Sequence, residues 1–296
     1  MTIAAPDNKD GNKAPDTVSL PKIPNVLTIA GTDPTGGAGI QADIKAFSAL
    51  GAYGMSVVTA LVAQNTRGVD CAHGVPARFV AAQIDSVFCD VRVDAVKIGM
   101  VHTADVAAAI VDRLRRYEAA NVVLDPVMVA KSGDRLLDDA AIETVRDHLL
   151  PISSIVTPNL PEAGVLLGRD TPRTFDAMRE AARALHQLGP AYVLLKGGHL
   201  DGTTSCDMLF DGQDVFELTA NRIATKNTHG TGCTLSAAIA ALLPRHRSVE
   251  DAARQAKRYV TAAVRESGQL DVGHGHGPVH HFHALWPGPV RERDIA

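Results

Sequence analysis

Six short apolar runs set the frame of the chain: VLTIA (26–30), MSVVTALVA (55–63), AVKI (95–98), VVL (122–124), SIV (154–156) and YVLL (192–195). They do not alternate polar with apolar residues, as strands buried on both faces do not. Amphipathic stretches separate them, and this repetition is what a parallel sheet covered by helices requires. In the first such stretch Ile40, Ile44, Phe47 and Leu50 fall at helical spacing, and Gly51 stands where a glycine would end the helix. Val106, Ile110 and Leu114 repeat the pattern. Towards the far end, CDMLF and DVFEL flank Asp211-Gly212-Gln213, which predicts a small antiparallel hairpin at the sheet edge. The expectation is an α/β fold with a central, mostly parallel sheet.

A chain of 296 residues that is 46% apolar can bury one large core. No internal repeat or linker interrupts the alternation. Residues 1–24, rich in Pro, Asp, Asn and Lys, read as a disordered N-terminal extension, and residues 25–290 as a single domain. A net charge of −4 with both signs dispersed offers no basic field for nucleic acid or an anionic membrane. The chain carries neither a run of 18 apolar residues nor a signal pattern, so a cytoplasmic protein acting on small molecules is expected. Cys71, Cys89, Cys206 and Cys233 show no CxxC spacing and read as free thiols.

In an open parallel sheet, ligands bind outside the carboxyl ends of the strands. The residues that close each run should therefore meet: Gly31-Thr32-Asp33, Gln64-Asn65, Gly99-Met100, Asp125-Pro126, Thr157-Pro158-Asn159 and Lys196-Gly197-Gly198. Two glycine-rich turns feed helices, GTDPTGGAG (31–39) and Gly230-Thr231-Gly232-Cys233. A helix start presents free N–H groups and about half a positive charge, a cradle for phosphate, although either turn alone could be a plain tight turn. No Walker loop occurs. Cys233, in a first helical turn, is placed for a lowered pKa and a role as base, against the commoner reading of cysteine as a small buried hydrophobe. Asp125 and Glu162 are candidate magnesium groups, with simple helix-end electrostatics the alternative for Glu162. Lys196 ends a buried run and needs an anionic partner such as phosphate. The closing GHGHGPVHHFHALW lacks the spacing of a zinc site, and its histidines read as structural or substrate-edge residues.

Taken together, GTDPTGGAGIQAD, GMSVVTALVAQNT, VKIGM, VVLDPVMVAKSGD, TPNLPEA, LLKGGHL, TKNTHGTGCTLSAA and VGHGHGPVHHFHALW resemble the bacterial hydroxymethylpyrimidine/phosphomethylpyrimidine kinases of thiamine biosynthesis. The resemblance spans about 25–286 and implies a ribokinase-like three-layer fold. It implies two successive phosphorylations using ATP and Mg²⁺, of 4-amino-5-hydroxymethyl-2-methylpyrimidine and then of its monophosphate. By the same resemblance Gly31, Ala38, Asp43, Gln64, Met100 and Val127 would hold the pyrimidine. Asn159, Lys196 and Thr228 would serve ATP, Asp125 and Glu162 the metal, and Gly230, Thr231, Gly232 and Cys233 the anion hole. It also suggests a homodimer.

Sugar kinases of this fold generally carry Asp where this chain has Cys233. A thiol that can be neutral would not repel the phosphomonoester of the second reaction. The competing expectations are a pyridoxal or pyridoxine kinase and a non-catalytic pyrimidine sensor. Candidate covers for the site are residues 130–136 and the turn around Thr35–Gly37.

Overall fold

Successive side chains of a strand point to opposite faces, so a strand that is apolar throughout needs a layer on each side. The structure is a computed structural model that describes residues 22–128, 137–198, 200 and 202–286. All but the last three residues of the expected extension, and the whole of the candidate cover 130–136, lie outside these. The order is β1 (Asn25–Ala30), α1 (Gly39–Ala49), β2 (Tyr53–Val58), β3 (Ala60–Asn65), β4 (Gly68–Gly74), α2 (Ala77–Phe88), β5 (Ala95–Ile98), α3 (Ala104–Arg116), β6 (Val122–Leu124) and α4 (Asp139–Thr144). It continues with β7 (Ile155–Val156), α5 (Leu160–Leu167), α6 (Phe175–His186), β8 (Tyr192–Leu195), β9 (Thr204–Phe210), β10 (Val215–Asn221), α7 (Thr231–Leu242) and α8 (Val249–Arg265). Within the described residues no helix is long and apolar enough to cross a membrane.

One sheet has the order β10-β9-β8-β7-β6-β5-β1-β2. Its pairs from β2 to β8 are parallel. Antiparallel β9 and β10 finish one edge, as the Asp211-Gly212-Gln213 turn predicts. The two-sided burial is visible residue by residue. Leu27, Ile29, Val96, Ile98, Val122 and Leu124 face the layer made by α2 to α6, while Val26, Ala95 and Val123, each next to one of them in the chain, face α1, α7 and α8. Each wholly buried Leu or Ile contributes about 1.5–3 kcal/mol, so the three layers hold one another. Helix α7 is buried at every residue from Thr234 to Leu242 and packs against both α1 and α8. Its small residues, TLSAAIAAL, allow that insertion.

One expectation needs correction. MSVVTALVA is two strands, because the chain breaks at Thr59. The Thr59 N–H donates to the Ala30 carbonyl (3.0 Å) and its hydroxyl to the Met100 carbonyl (2.7 Å). Those bonds fasten it across the ends of the sheet, so β2 stays in the large sheet while β3 leaves and pairs with β4 as a separate antiparallel hairpin. Strand β4 is polar and largely exposed, which is why periodicity does not reveal it.

The histidine-rich segment is a strap over this edge of the sheet. The Gly275 N–H donates to Thr66 Oγ1 (3.0 Å) and the His276 N–H to the Thr66 carbonyl (2.9 Å). The Gly277 carbonyl accepts from the His229 N–H (3.1 Å). Behind the strap, His281 Nε2 lies 3.0 Å from Thr234 Oγ1 in the first turn of α7.

Candidate active site

Helix starts need partners for their first N–H groups. Side chains supply them for α3 (Thr103), α4 (Asp138), α5 (Asn159), α6 (Thr174) and α8 (Ser248). Helices α1, α2 and α7 begin at Ala38, Pro76 and Gly230 with no side-chain cap, and of these α1 and α7 lie together. The two starts meet: a Cβ on Gly230 would stand 3.3 Å from the Cα of Ala38, and the Gly39 N–H faces the Cys233 sulfur. The first N–H groups of α1 have partners, Ala38 on Asp33 Oδ2 (2.8 Å) and Ile40 on the Gly31 carbonyl (3.0 Å), so the positive pole suited to an anion is the start of α7.

This meeting depends on Gly230. Its φ is 76°, and a Cβ there would collide with the Gly37 carbonyl oxygen. Only glycine lets the turn before α7 lie directly on the loop before α1. That loop is wound around Asp33, which is fully buried. Asp33 Oδ1 accepts from the N–H (2.9 Å) and hydroxyl (2.8 Å) of Thr35. Oδ2 accepts from the N–H groups of Gly37 (3.1 Å) and Ala38 (2.8 Å) and lies 2.8 Å from His229 Nε2. Burial opposes its charge, but bonds from His229, Gln64 and Thr35 outweigh burial and hold the carboxyl well below its usual range. The Thr35–Gly37 turn, a candidate cover, is thus fastened through Asp33 to the turn that precedes α7.

Beside the pole lies a charged cluster. Asp125, after β6, accepts from Lys196 Nζ (2.9 Å), Thr157 Oγ1 (3.2 Å) and Ser236 Oγ (3.3 Å). Burial works against its ionisation, but Lys196 and Lys97 more than compensate and lower its pKa. Lys196 Nζ is also 3.8 Å from Glu162 Oε2. Lys196 is held protonated by Asp125 and Glu162, against burial. A Cβ on Gly232 would stand 3.2 Å from Lys196 Nζ and 3.7 Å from Asp125 Oδ2, so the glycine-rich turn passes directly over the cluster. Glu162 also has the bland role weighed for it: it closes a capping box, accepting from the Asn159 N–H (2.7 Å) while Asn159 Oδ1 accepts from its own N–H (2.8 Å). Burial pushes Glu162 up to about 7, with Asp125 adding to the rise and Lys196 opposing it. Thr228 enters through its backbone, the carbonyl accepting from the Thr231 hydroxyl (2.7 Å).

Two findings depart from the sequence reading. The Cys233 thiol is not lowered. Burial pushes it up to about 11; Lys97 and the Gly39 N–H pull the other way, while Asp125 and Asp43 add to the rise. Desolvation exceeds the helix-end field, so Cys233 is a neutral thiol at physiological pH and is not a preformed thiolate base. The second departure is Lys97, which sequence reasoning passed over inside AVKI. Both Lys97 and Asp43 are 0% exposed, and Nζ lies 2.8 Å from Asp43 Oδ2, which also accepts from Thr28 Oγ1 (2.6 Å). Asp43 holds Lys97 protonated against burial. Asp43 Oδ1 is buried with no partner, an acceptor left open. A lysine within a strand buried on both faces was the available signal.

Of the proposed pyrimidine residues, Gly31, Met100 and Val127 gather on an apolar shelf, while Ala38 is at the start of α1 and Asp43 is in the Lys97 pair. Met100 packs with Ala60 and Val62 of the hairpin, and Val127 and Val69 join them. Gly31 lies against Met100, whose methyl would strike a Cβ there. Gln64 sits at a bulge between β3 and β4 and reaches Asp33. Such a bulge re-aims a side chain that regular pairing would turn away.

Magnesium is commonly held by one or two carboxylates, phosphate oxygens and water. Asp125 and Glu162 fit that donor set, with Lys196 and the start of α7 alongside for the phosphates. No three His, Cys, Asp or Glu side chains group as a metal cage within the described residues, so phosphate oxygens would have to complete such a site.

Solved structures similar to this chain include pyridoxal kinases and a phosphomethylpyrimidine kinase. A Bacillus subtilis pyridoxal kinase in an ADP complex matches with a TM-score of 0.82 and 36% identity, covering 89% of this chain and 99% of that one. A Clostridium difficile phosphomethylpyrimidine kinase matches with a TM-score of 0.73 and 42% identity over 82% of this chain and 100% of its own. The class is therefore a ribokinase-like small-molecule kinase. More narrowly, the chain belongs to the phosphomethylpyrimidine kinase family, whose sequence model matches residues 33–280. It is 58% identical to the hydroxymethylpyrimidine/phosphomethylpyrimidine kinase of Escherichia coli strain K12 over 262 residues, 88% of this chain and 98% of that protein.

Proposed function

We propose that this chain, a kinase by family, transfers a phosphoryl group from Mg-ATP to 4-amino-5-hydroxymethyl-2-methylpyrimidine, and then to the monophosphate, yielding the diphosphate for thiamine biosynthesis. One observation carries the reading: the start of α7, which has no side-chain cap, lies on the start of α1 at Gly230 and passes over the Lys196–Asp125 cluster at Gly232. The positive end of α7 thereby stands beside the Lys196 cluster.

The pyrimidine ring lies on Met100 and Val127, with Gly31 and Ala38 at its edge, and Gln64 and the open Asp43 oxygen meet its polar groups. The amides of residues 230–233 and Lys196 take the charge of the transferring phosphoryl, the largest catalytic contribution in such reactions. Asp125 and Glu162 would hold the metal, and Asn159 and Thr228 would border the nucleotide. Mg²⁺, when bound with ATP, neutralises charge on the phosphate oxygens. Cys233 stays protonated and admits either acceptor, the alcohol or the phosphomonoester. In a loose transition state the attacking oxygen gains little charge before the phosphoryl arrives, so the alcohol's proton leaves late, to a phosphoryl oxygen or to water, and a strong base is not required.

The same reading places the enzyme in the cytoplasm as a homodimer. Exposed Tyr53 and Leu61, on the sheet edge and the hairpin, offer apolar surface for a second copy. The test is incubation with Mg-ATP and, separately, the free pyrimidine, its monophosphate and pyridoxal, with products identified by mass. Diphosphate from the monophosphate supports the assignment. Phosphorylation of pyridoxal alone overturns it.

A further inference from the structure

Behind the Lys196 cluster lies a second pair of charges with no role in the reaction as derived so far. Asp207 sits on β9 among apolar neighbours and is nearly buried. Its Oδ1 accepts from the Gly197 N–H (3.1 Å), and its Oδ2 accepts from Lys257 Nζ of α8 (2.7 Å). Lys257 also donates to Ser205 Oγ (3.2 Å). Gly197 follows Lys196 directly, so the peptide that Asp207 grips is the one joining the two. The orientation of that peptide sets the ψ angle of Lys196 and thus the direction from which its side chain leaves the strand. The turn has no slack on its other side, because a Cβ on Gly197 would strike the Cys206 carbonyl oxygen. Lys196 is pinned at its own N–H by the Pro158 carbonyl (2.8 Å).

Stability alone is a weak reason for this pair. A carboxylate and an ammonium withdrawn from water together seldom stabilise more than a packed apolar pair does. A neutral acceptor would satisfy the Gly197 N–H as well. What the pair supplies is a fixed line of bonds from α8 through β9 to the backbone of Lys196, whose Nζ must be shared among Asp125, Glu162 and an incoming phosphate.

We propose that Asp207, held by Lys257, is a positioning residue for phosphoryl transfer: it orients the Lys196–Gly197 peptide and so aims the Lys196 ammonium. This rests on the reading that Lys196 meets the phosphates. Displacement of a catalytic group by about 1 Å lowers rates by about 10²-fold. The pyrimidine shelf of Gly31, Met100 and Val127 lies at other strand ends and is untouched by such a shift.

The variants are Asp207→Asn, which keeps an acceptor for Gly197, Asp207→Leu, which removes it, and Lys257→Met. For each, kcat, the two KM values, the Kd of Mg-ATP by calorimetry and the Tm are measured. Asp207→Leu is expected to lose about 10²-fold in kcat and to bind Mg-ATP more weakly, with the pyrimidine KM unchanged. Asp207→Asn should recover most of the rate. If Asp207→Leu does not fold, Lys257→Met carries the test. It should lower kcat at least about tenfold, and adding Asp207→Asn should restore it, since a neutral acceptor needs no cation. Wild-type kcat and Mg-ATP affinity in Asp207→Leu or Lys257→Met overturn the proposal, as does a parallel loss of both substrates' affinities with Tm. A wild-type enzyme that turns over neither pyrimidine refutes the assigned function instead. Calorimetry on the variants still decides the positioning role in that case.

Discussion

The neutrality of Cys233 leads to a prediction that can be made quantitative. Alkylation by iodoacetamide proceeds through the thiolate, whose fraction at pH 7.5 is about 0.1 for an ordinary exposed cysteine of pKa ~8.5. With Cys233 held near a pKa of about 11, the fraction falls to ~3 × 10⁻⁴, roughly 300-fold less. A more basic thiolate is intrinsically more reactive, which recovers about tenfold, leaving alkylation some 20- to 30-fold slower before steric shielding is counted. The assay is time-resolved labelling of the folded enzyme, each cysteine peptide followed by mass, with a free cysteine peptide as the rate reference. Labelling of Cys233 should also climb about tenfold per pH unit to beyond pH 10 instead of levelling near 9. Labelling at pH 7.5 as fast as the peptide refutes the argument that burial defeats the helix-end field. The functional counterpart is Cys233→Asp. A carboxylate ~5 Å from a phosphate at an effective dielectric of ~20 repels it by about 3 kcal/mol per pair of charges. Phosphorylation of the monophosphate should therefore fall about 10²-fold more than that of the alcohol. Equal effects on the two steps would show that charge is not why a thiol stands there.

Other perturbations test the frame around the sulfur. Gly230→Ala pays for a left-handed backbone and for the collision with the Gly37 carbonyl, together about 2–5 kcal/mol; a Tm lower by about 5–10 °C is expected, and an unchanged Tm with full activity would contradict the packing. Burial pushes His281 down to about 3, below its unfolded value. Its contribution to stability is therefore present above pH ~6.5 and lost as pH falls towards 3, at up to about 1.4 kcal/mol per unit. His281→Gln should show a shallower acid-side decline in urea midpoint between pH 6 and 4, and parallel declines would mean that His281 is not held neutral.

Much of the architecture was legible because burial leaves a period in the sequence. AVKI, VVL and YVLL are β5, β6 and β8 to the residue, and the hairpin at Gly212 follows from its turn chemistry. Periodicity failed where the cause lay elsewhere in the chain. Nothing local marks Thr59 as a break, since its bonds go to Ala30 and Met100. The polar strand β4 exists because β3 is available to pair with it. At the site, the motif residues Gly31, Asp125, Lys196 and Gly232 could be placed at strand ends, whereas their supports could not. Asp207 reads as one polar residue in an apolar strand, and His229 as one histidine among twelve. Their meaning comes from partners far away in the sequence. The pKa of Cys233 was missed for a related reason: a helix-start field is local and legible, but desolvation is set by everything packed around the sulfur.

The strap has a consequence for biosynthesis. Asp33 waits for His229, 196 residues downstream, and Thr66 for Gly275, 209 residues downstream. A nascent chain can therefore assemble most of its parallel sheet on the ribosome while the pocket stays unbuilt, since loop closures of that length come late in folding. Chains clipped before residue 273 would keep the parallel sheet but lose the strap's bonds to Thr66 and His229.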